Sequence, residues 1–273
     1  MKILTTAAAI DQGIFNENET FTPSPDGMKL YDATINDWDF GQKGTLTMRQ
    51  ALSWSSNIGM VTLEQRMADR WQQYLKEFGF GRSTYSGLPN ENTGITPEDN
   101  PVSQAMTSFG QAIGVTNFQM MQAFTSVANN GTMLKPQFIS KIVDGNTGEE
   151  TVTQPEEVGH PITAEAATKV REYMRDVVES ENYGSAYGVY ELPGYNISAK
   201  TGTAQVADPT TGKYLSGGTN YLYSVVLMFP SEEPEYILYL TIKLPEKHES
   251  TVLGEIANPL MKRVMDLKNS ALE

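Results

Sequence analysis

The chain predicts an α+β fold: an antiparallel sheet flanked by helices, with a helical subdomain preceding it. Three observations lead there. Capped, amphipathic helical patterns fill much of the chain before residue 180. Three runs dense in Tyr, Val, Ile, Leu and Thr follow at 195–206, 221–229 and 236–244, separated by short Gly/Pro/Asp/Ser clusters. The strands are consecutive rather than alternating with helices, so the pattern of a parallel sheet is missing and a meander is expected.

The opening Met1-Lys2-Ile3-Leu4-Thr5-Thr6-Ala7-Ala8-Ala9-Ile10 has the cation and apolar stretch of a secretory signal. It also contains two Thr, stops at Asp11 and lacks a clean cleavage site, so a signal peptide is rejected. The better reading is a buried helix with Ile3, Leu4, Ala7, Ala8 and Ile10 near one face and Gly13 ending it. A first helix this apolar resembles the middle of a fold. Residues 14–46 are rich in turn formers and read as a surface excursion with short strands at most. Helices are expected from Thr47, which can cap, then over 58–67 and 70–78, whereas 81–105 reads as loop. Thr116 with Gln119 forms a capping-box pattern for a helix that Asn129-Asn130-Gly131 stops. A hairpin turning at Gly145-Asn146 is expected over 137–154. Residues 163–179 form an amphipathic helix with Ala166, Val170, Tyr173, Met174 and Val177 inward. A closing helix over 251–267 contains Pro259, which is expected to kink or split it.

Composition narrows the function classes. The chain has 273 residues, 20 Lys+Arg against 33 Asp+Glu and a formal charge of −13. A surface that acidic repels phosphate backbones, which argues against nucleic-acid binding. With no Cys and two His, at 160 and 248, thiol catalysis and thiolate or multi-His zinc sites are excluded. No metal and no cofactor is called for. No run approaches the roughly 18 apolar residues of a spanning helix.

Two motifs carry chemistry. Lys200-Thr201-Gly202-Thr203 lies in the first strand run, where a Gly marks a bulge or a close approach to the backbone. A cation, two hydroxyls and free backbone N–H groups suit an anionic, carbonyl-bearing substrate. Ser55-Ser56-Asn57 lies between two helical stretches; alone it is as well explained by helix capping. The pair says more than either part, because their order and placement match the second and third signatures of the penicillin-interacting serine enzymes.

From these motifs the sequence resembles the transpeptidase domain of class B penicillin-binding proteins, the 2X-like division type in particular. Other stretches carry the same likeness: Asp32-Ala33-Thr34-Ile35 with Asp37-Trp38-Asp39, Ser108-Phe109-Gly110-Gln111, Ala128-Asn129-Asn130-Gly131 and Gly254-Glu255-Ile256-Ala257-Asn258-Pro259. The likeness runs end to end, with a helical subdomain at about 47–135 and the sheet with its covering helix at about 190–268. One departure stands out. The family's first motif is Ser-x-x-Lys, and no Ser here has a Lys three positions later. Met1-Lys2 and the apolar helix after it look like the end of that motif, so the nucleophilic Ser and the N-terminal part of the fold are expected upstream of Met1. The bland reading makes Lys2 an ordinary solvated lysine.

The resemblance implies a peptidoglycan D,D-transpeptidase that acylates a Ser with a stem peptide and is inhibited by β-lactams. Lys2 would act as the base, Ser55 as proton relay and Asn57 as the holder of the substrate amide. Lys200 would attract the terminal carboxylate, aided by Thr201 and Thr203, and the Thr203 N–H would form half of an oxyanion hole. Gly202 would let the acyl chain lie along the strand. Gln205 and Trp38 are cleft-rim candidates, with Trp38 equally readable as packing under a loop. The implied location is the extracytoplasmic face of the bacterial membrane, with an anchor expected only in the full-length protein and cell-division proteins as candidate partners. Two other readings share the fold: a non-catalytic β-lactam sensor or interaction scaffold, and a serine β-lactamase, for which no convincing water-activating group is present.

Overall fold

In the computed structural model, which describes residues 1–208, 210–215, 217, 219–246 and 252–271, the first helix is buried on all sides rather than along one face. This helix, α1 (Lys2–Asp11), buries every residue from Ile3 to Ala9. Thr5 and Thr6 fit there because their hydroxyls find partners, the Ser108 carbonyl at 2.7 Å and the Met60 sulfur at 3.7 Å. Full burial of Ile3 and Leu4 contributes roughly 1.5–3 kcal/mol each. The excursion expected after it holds only two short ribbons, β1 (Thr20–Phe21) with β4 (Leu46–Thr47), and β2 (Met28–Leu30) with β3 (Ala33–Ile35).

Three helices follow: α2 (Met48–Ser53), capped by a Thr47–Gln50 box, α3 (Asn57–Met67) and α4 (Asp69–Glu77). Next comes α5 (Pro101–Thr107), a helix in a region read as loop. Its signals are in the sequence: Asn100 caps the Ser103 N–H at 2.8 Å and Pro101 opens the first turn. After it, α6 (Asn117–Ala128) has the expected box and stop. The strands β5 (Met133–Leu134) and β8 (Glu157–Gly159) pair around the exposed hairpin of β6 (Lys141–Val143) and β7 (Glu150–Val152). Asp144 builds the hairpin turn by accepting the N–H groups of Asn146 and Thr147. The long helix α7 (Ala164–Glu179) buries the expected inward residues.

The sheet is the meander expected, in the order β11–β10–β9, formed by β9 (Ser198–Gln205), β10 (Tyr221–Phe229) and β11 (Tyr236–Lys243). Strand β9 begins at Ser198, later than the apolar run suggests. One sheet face, with Val226 and Met228, joins the core of α1 to α4, α6 and α7. The opposite face, with Tyr223, Val225, Leu227 and Phe229, is covered by Leu253, Ala257, Met261 and Met265 of α8 (Val252–Ser270). Pro259 does not split α8, which runs through it unbroken; the apolar stripe packed on the sheet outweighs one lost helical bond. The helix start expected at Thr251, like His248, lies outside the described residues.

Candidate active site

The floor of the site is set by how α2 ends. The N–H of Ser56 reaches back to the Ala51 carbonyl at 2.8 Å, and that of Ser55 to Leu52 at 3.2 Å. That is the paired bonding of a Schellman stop, whose left-handed residue is normally Gly. Here it is Ser55, with φ +66°. A side chain in that conformation costs roughly 1 kcal/mol, and it presents a hydroxyl at the mouth of a cleft. Ser56 then caps α3, accepting from the Gly59 N–H at 2.9 Å.

Two amines meet the Ser55 hydroxyl. Lys2, in the first turn of α1, donates to Ser55 Oγ at 2.9 Å and to its carbonyl at 2.6 Å. Lys200, on β9, donates to the same Oγ at 2.9 Å and to the Thr201 carbonyl at 2.9 Å. The register Val226↔Lys200 turns Lys200 toward the helical core, where only 6% of it is exposed. Burial lowers both amines. Lys2 falls to about 8, with the charge of Asp37 opposing the fall. Lys200 falls well below the usual lysine range through burial and then through repulsion from Lys2. A hydroxyl between two amines whose burial eases the release of their protons is equipped for proton transfer.

These groups open on a cleft of about 920 Å³ lined by Met1, Lys2, Trp38, Ser55, Asn57 and the β9 margin from Lys200 to Gln205. Because β9 is an edge strand, its backbone groups not paired with β10 face this space. Thr201 lies 3.5 Å from Ser185, Gly202 opposes Ser224, and Thr203 and Gln205 are exposed on the cleft side. Gln205 meets Gln111 at 3.3 Å across the cleft. Trp38 is 60% exposed at the rim, its indole donating to the Trp54 carbonyl at 3.0 Å and its ring 4.9 Å from that of Trp54. The geometry therefore does not fit packing beneath a loop. Likewise the Lys2 amine is not solvated at large but held in the cleft.

The sequence reading missed Asp37, Trp54, Gln111 and Ser185. Asp37 is the most consequential, because it is buried and holds the residues on either side of the Asn57 peptide bond. It accepts from Ser56 Oγ at 2.6 Å, the Asn57 N–H at 2.6 Å and the Ile58 N–H at 3.0 Å. Nothing in an Asp-Trp-Asp run within a turn-rich stretch announces burial. Among the described residues no cluster of three or more His, Cys, Asp or Glu could hold a metal ion, and no helix is long and apolar enough to cross a membrane.

Known proteins share this arrangement of chain. PbpB from Mycolicibacterium smegmatis is 31% identical over 96% of this chain and 41% of its own length. Stage V sporulation protein D of Bacillus subtilis is 30% identical over 97% of this chain and 40% of its own. The chain thus spans about 40% of the length of these curated relatives. Among solved structures, penicillin-binding protein 2X from Streptococcus thermophilus superposes with a TM-score of 0.93 at 39% identity, covering 97% of this chain and 40% of that one. Penicillin-binding protein 3 of Mycobacterium tuberculosis, solved in complex with ampicillin, gives 0.84 at 26% identity, covering 96% and 60%. The family described as the penicillin binding protein transpeptidase domain matches residues 1–265. With that match over nearly its whole length, and with penicillin-binding proteins among its relatives, this chain belongs to the penicillin-binding protein transpeptidase family.

Proposed function

We propose that the chain is the catalytic portion of a peptidoglycan D,D-transpeptidase, working by acyl transfer through a serine two positions before Met1 in the longer protein. The observation that carries this reading is the convergence of Lys2 and Lys200 on Ser55 Oγ, each at 2.9 Å, in a cleft bordered by a sheet edge. Met1 lines the same cleft, which supports a nucleophile close before it reaching that space.

In this mechanism the serine oxygen bonds to the carbonyl carbon between two D-Ala residues. Its proton passes to the Lys2 amine, and the C–N bond breaks as Ser55 relays a proton to the leaving nitrogen. The amine of a neighbouring strand then attacks the ester and releases the serine. Lys200 meets the terminal carboxylate of the stem peptide with Thr201 and Thr203 beside it. An arriving carboxylate favours a proton on Lys200, and the resulting repulsion favours a neutral Lys2, so the base is made ready as substrate binds. The Thr203 N–H provides one oxyanion donor, Gly202 leaves the strand edge open to the acyl chain, and Trp38 and Gln205 border it. β-Lactams acylate the same serine; the ampicillin complex of the Mycobacterium tuberculosis neighbour supports that expectation. Peptidoglycan places the work on the extracytoplasmic face of the membrane, and division proteins are the proposed partners of the full-length protein.

Intact-mass spectrometry with a labelled penicillin tests the reading. A chain extended upstream to include the serine is expected to gain one adduct, and residues 1–273 none. A stoichiometric adduct on residues 1–273 means that another residue is the nucleophile.

A further inference from the structure

We propose that residues 36–39 form a positioning clamp for Ser55 and Asn57, and that Asp37 is the member on which proton transfer at Lys2 depends. The inference rests on the reading above for the roles of Lys2 and Ser55, and deepens it. Its starting point is the conformation of Ser55, the non-Gly left-handed residue of a helix stop. A residue held there needs its neighbours fixed, since the surrounding structure must enforce what the local backbone disfavours.

Four consecutive residues do this from one side. Before Ser55, the Trp38 indole donates to the Trp54 carbonyl at 3.0 Å, and the Trp54 indole donates to Asp39 at 3.1 Å. After it, Asp37 takes the Ser56 hydroxyl and the Asn57 and Ile58 N–H groups. The Asn57 side-chain NH2 donates to the Asn36 carbonyl at 2.9 Å. Residues 54, 56, 57 and 58 are therefore held by the clamp, while the Ser55 hydroxyl is left to the two amines. The last bond also orients the Asn57 amide. A carbonyl only accepts, so the NH2 must face Asn36 and the amide oxygen is the group left to accept an N–H from a bound peptide.

Asp37 does more than cap α3. It is 2% exposed, and its charge acts on the Lys2 amine. The titratable side chains that meet the Ser55 hydroxyl are Lys2 from α1 and Lys200 from β9, both amines. Among the described residues Asp37 is the carboxylate that acts on Lys2, and it favours the proton there. It thereby sets the pH at which Lys2 gives up its proton, raising it against the effect of burial.

The test is Asp37→Asn in the serine-bearing longer chain. Asn keeps the size and one acceptor oxygen but removes the charge. Benzylpenicillin acylation is expected to slow about tenfold, and the midpoint of its rise with pH to move below that of the wild type. Competitive acetylation of Lys2 across pH, read by peptide mass spectrometry, provides a second measurement that needs no serine and is expected to show the same downward move. A slower rate with an unmoved midpoint and an unmoved Lys2 titration overturns the proton-transfer role and leaves Asp37 a helix cap. An unchanged rate and profile overturns the clamp as well. If the wild-type longer chain takes no penicillin, the functional reading fails, while the acetylation measurement still decides the effect of Asp37 on Lys2.

Discussion

Lys2 from the first helix and Lys200 from the first strand of the main sheet direct their amines at one acceptor, Ser55 Oγ, each at 2.9 Å. Such a pair is tolerated only if the two amines do not both carry full charge, since neither is solvated well enough to screen the other. The arrangement thus builds proton release into the fold.

The pH dependence follows from Lys2. Burial lowers it to about 8, so its neutral, proton-accepting form grows as pH rises through about 8. Acylation of the serine-bearing chain is expected to rise across that interval and level off above it. Lys2→Arg keeps the charge at every accessible pH and is expected to slow acylation by about 100-fold or more. The stability term has a definite sign too. The folded chain loses this proton near 8 and the unfolded chain near 10.5, so the Lys2 contribution to stability rises between those values. Stopped-flow acylation and thermal melts across pH check both.

Ser55 separates conformation from chemistry. Ser55→Ala keeps a side chain in the left-handed region, whereas Ser55→Gly relieves it. The Gly variant is expected to be more stable than the Ala variant by about 1 kcal/mol, with acylation equally impaired in both. A Gly variant less stable than the Ala variant by thermal denaturation contradicts the account of strain at this residue.

The same position shows where the sequence is legible and where it is not. Thr116 and Gln119 announce α6 because a capping box is local, a matter of spacing alone. The three strands are readable for the same reason, from runs of β-branched and aromatic residues. The junction at Ser55-Ser56-Asn57 is readable as a junction, but its left-handed residue is not, because no Gly marks the stop. Asp37 is legible only as part of a stretch that resembles the family; its burial exists only once the excursion docks against residues 54–58, a tertiary event with no periodicity. Pro259 is the reverse case: its local signal for a split is overridden by packing of α8 on the sheet.

Glu64 offers a stability test away from the cleft. It lies buried on α3, and desolvation raises its carboxyl to about 7. The folded state therefore holds a proton more tightly than the unfolded state, whose value is 4.5. Stability from this group is present at low pH and is lost as pH rises through about 7. Glu64→Gln removes the loss, and is expected to gain about 2 kcal/mol over the wild type at pH about 8, shrinking toward zero near pH about 4.5. Urea unfolding at the two pH values measures the difference.

Gly202 tests whether the strand edge needs an absent side chain for its own packing or for the ligand. A Cβ on Gly202 would lie 2.5 Å from Ser224 Oγ on the paired strand, and the next nearest atom, Ser224 Cβ, lies at 3.9 Å. Gly202→Ala is therefore expected to turn the Ser224 hydroxyl out of its present position and to slow acylation about tenfold. Removing the obstructing hydroxyl should relieve this: Gly202→Ala with Ser224→Ala leaves an ordinary van der Waals contact. The coupling energy in a double-mutant cycle on stability is expected to be about 1–2 kcal/mol, with acylation largely restored. If stability returns and acylation does not, the methyl group itself stands in the path of the acyl chain, and the edge at Gly202 is reserved for the substrate rather than for the sheet.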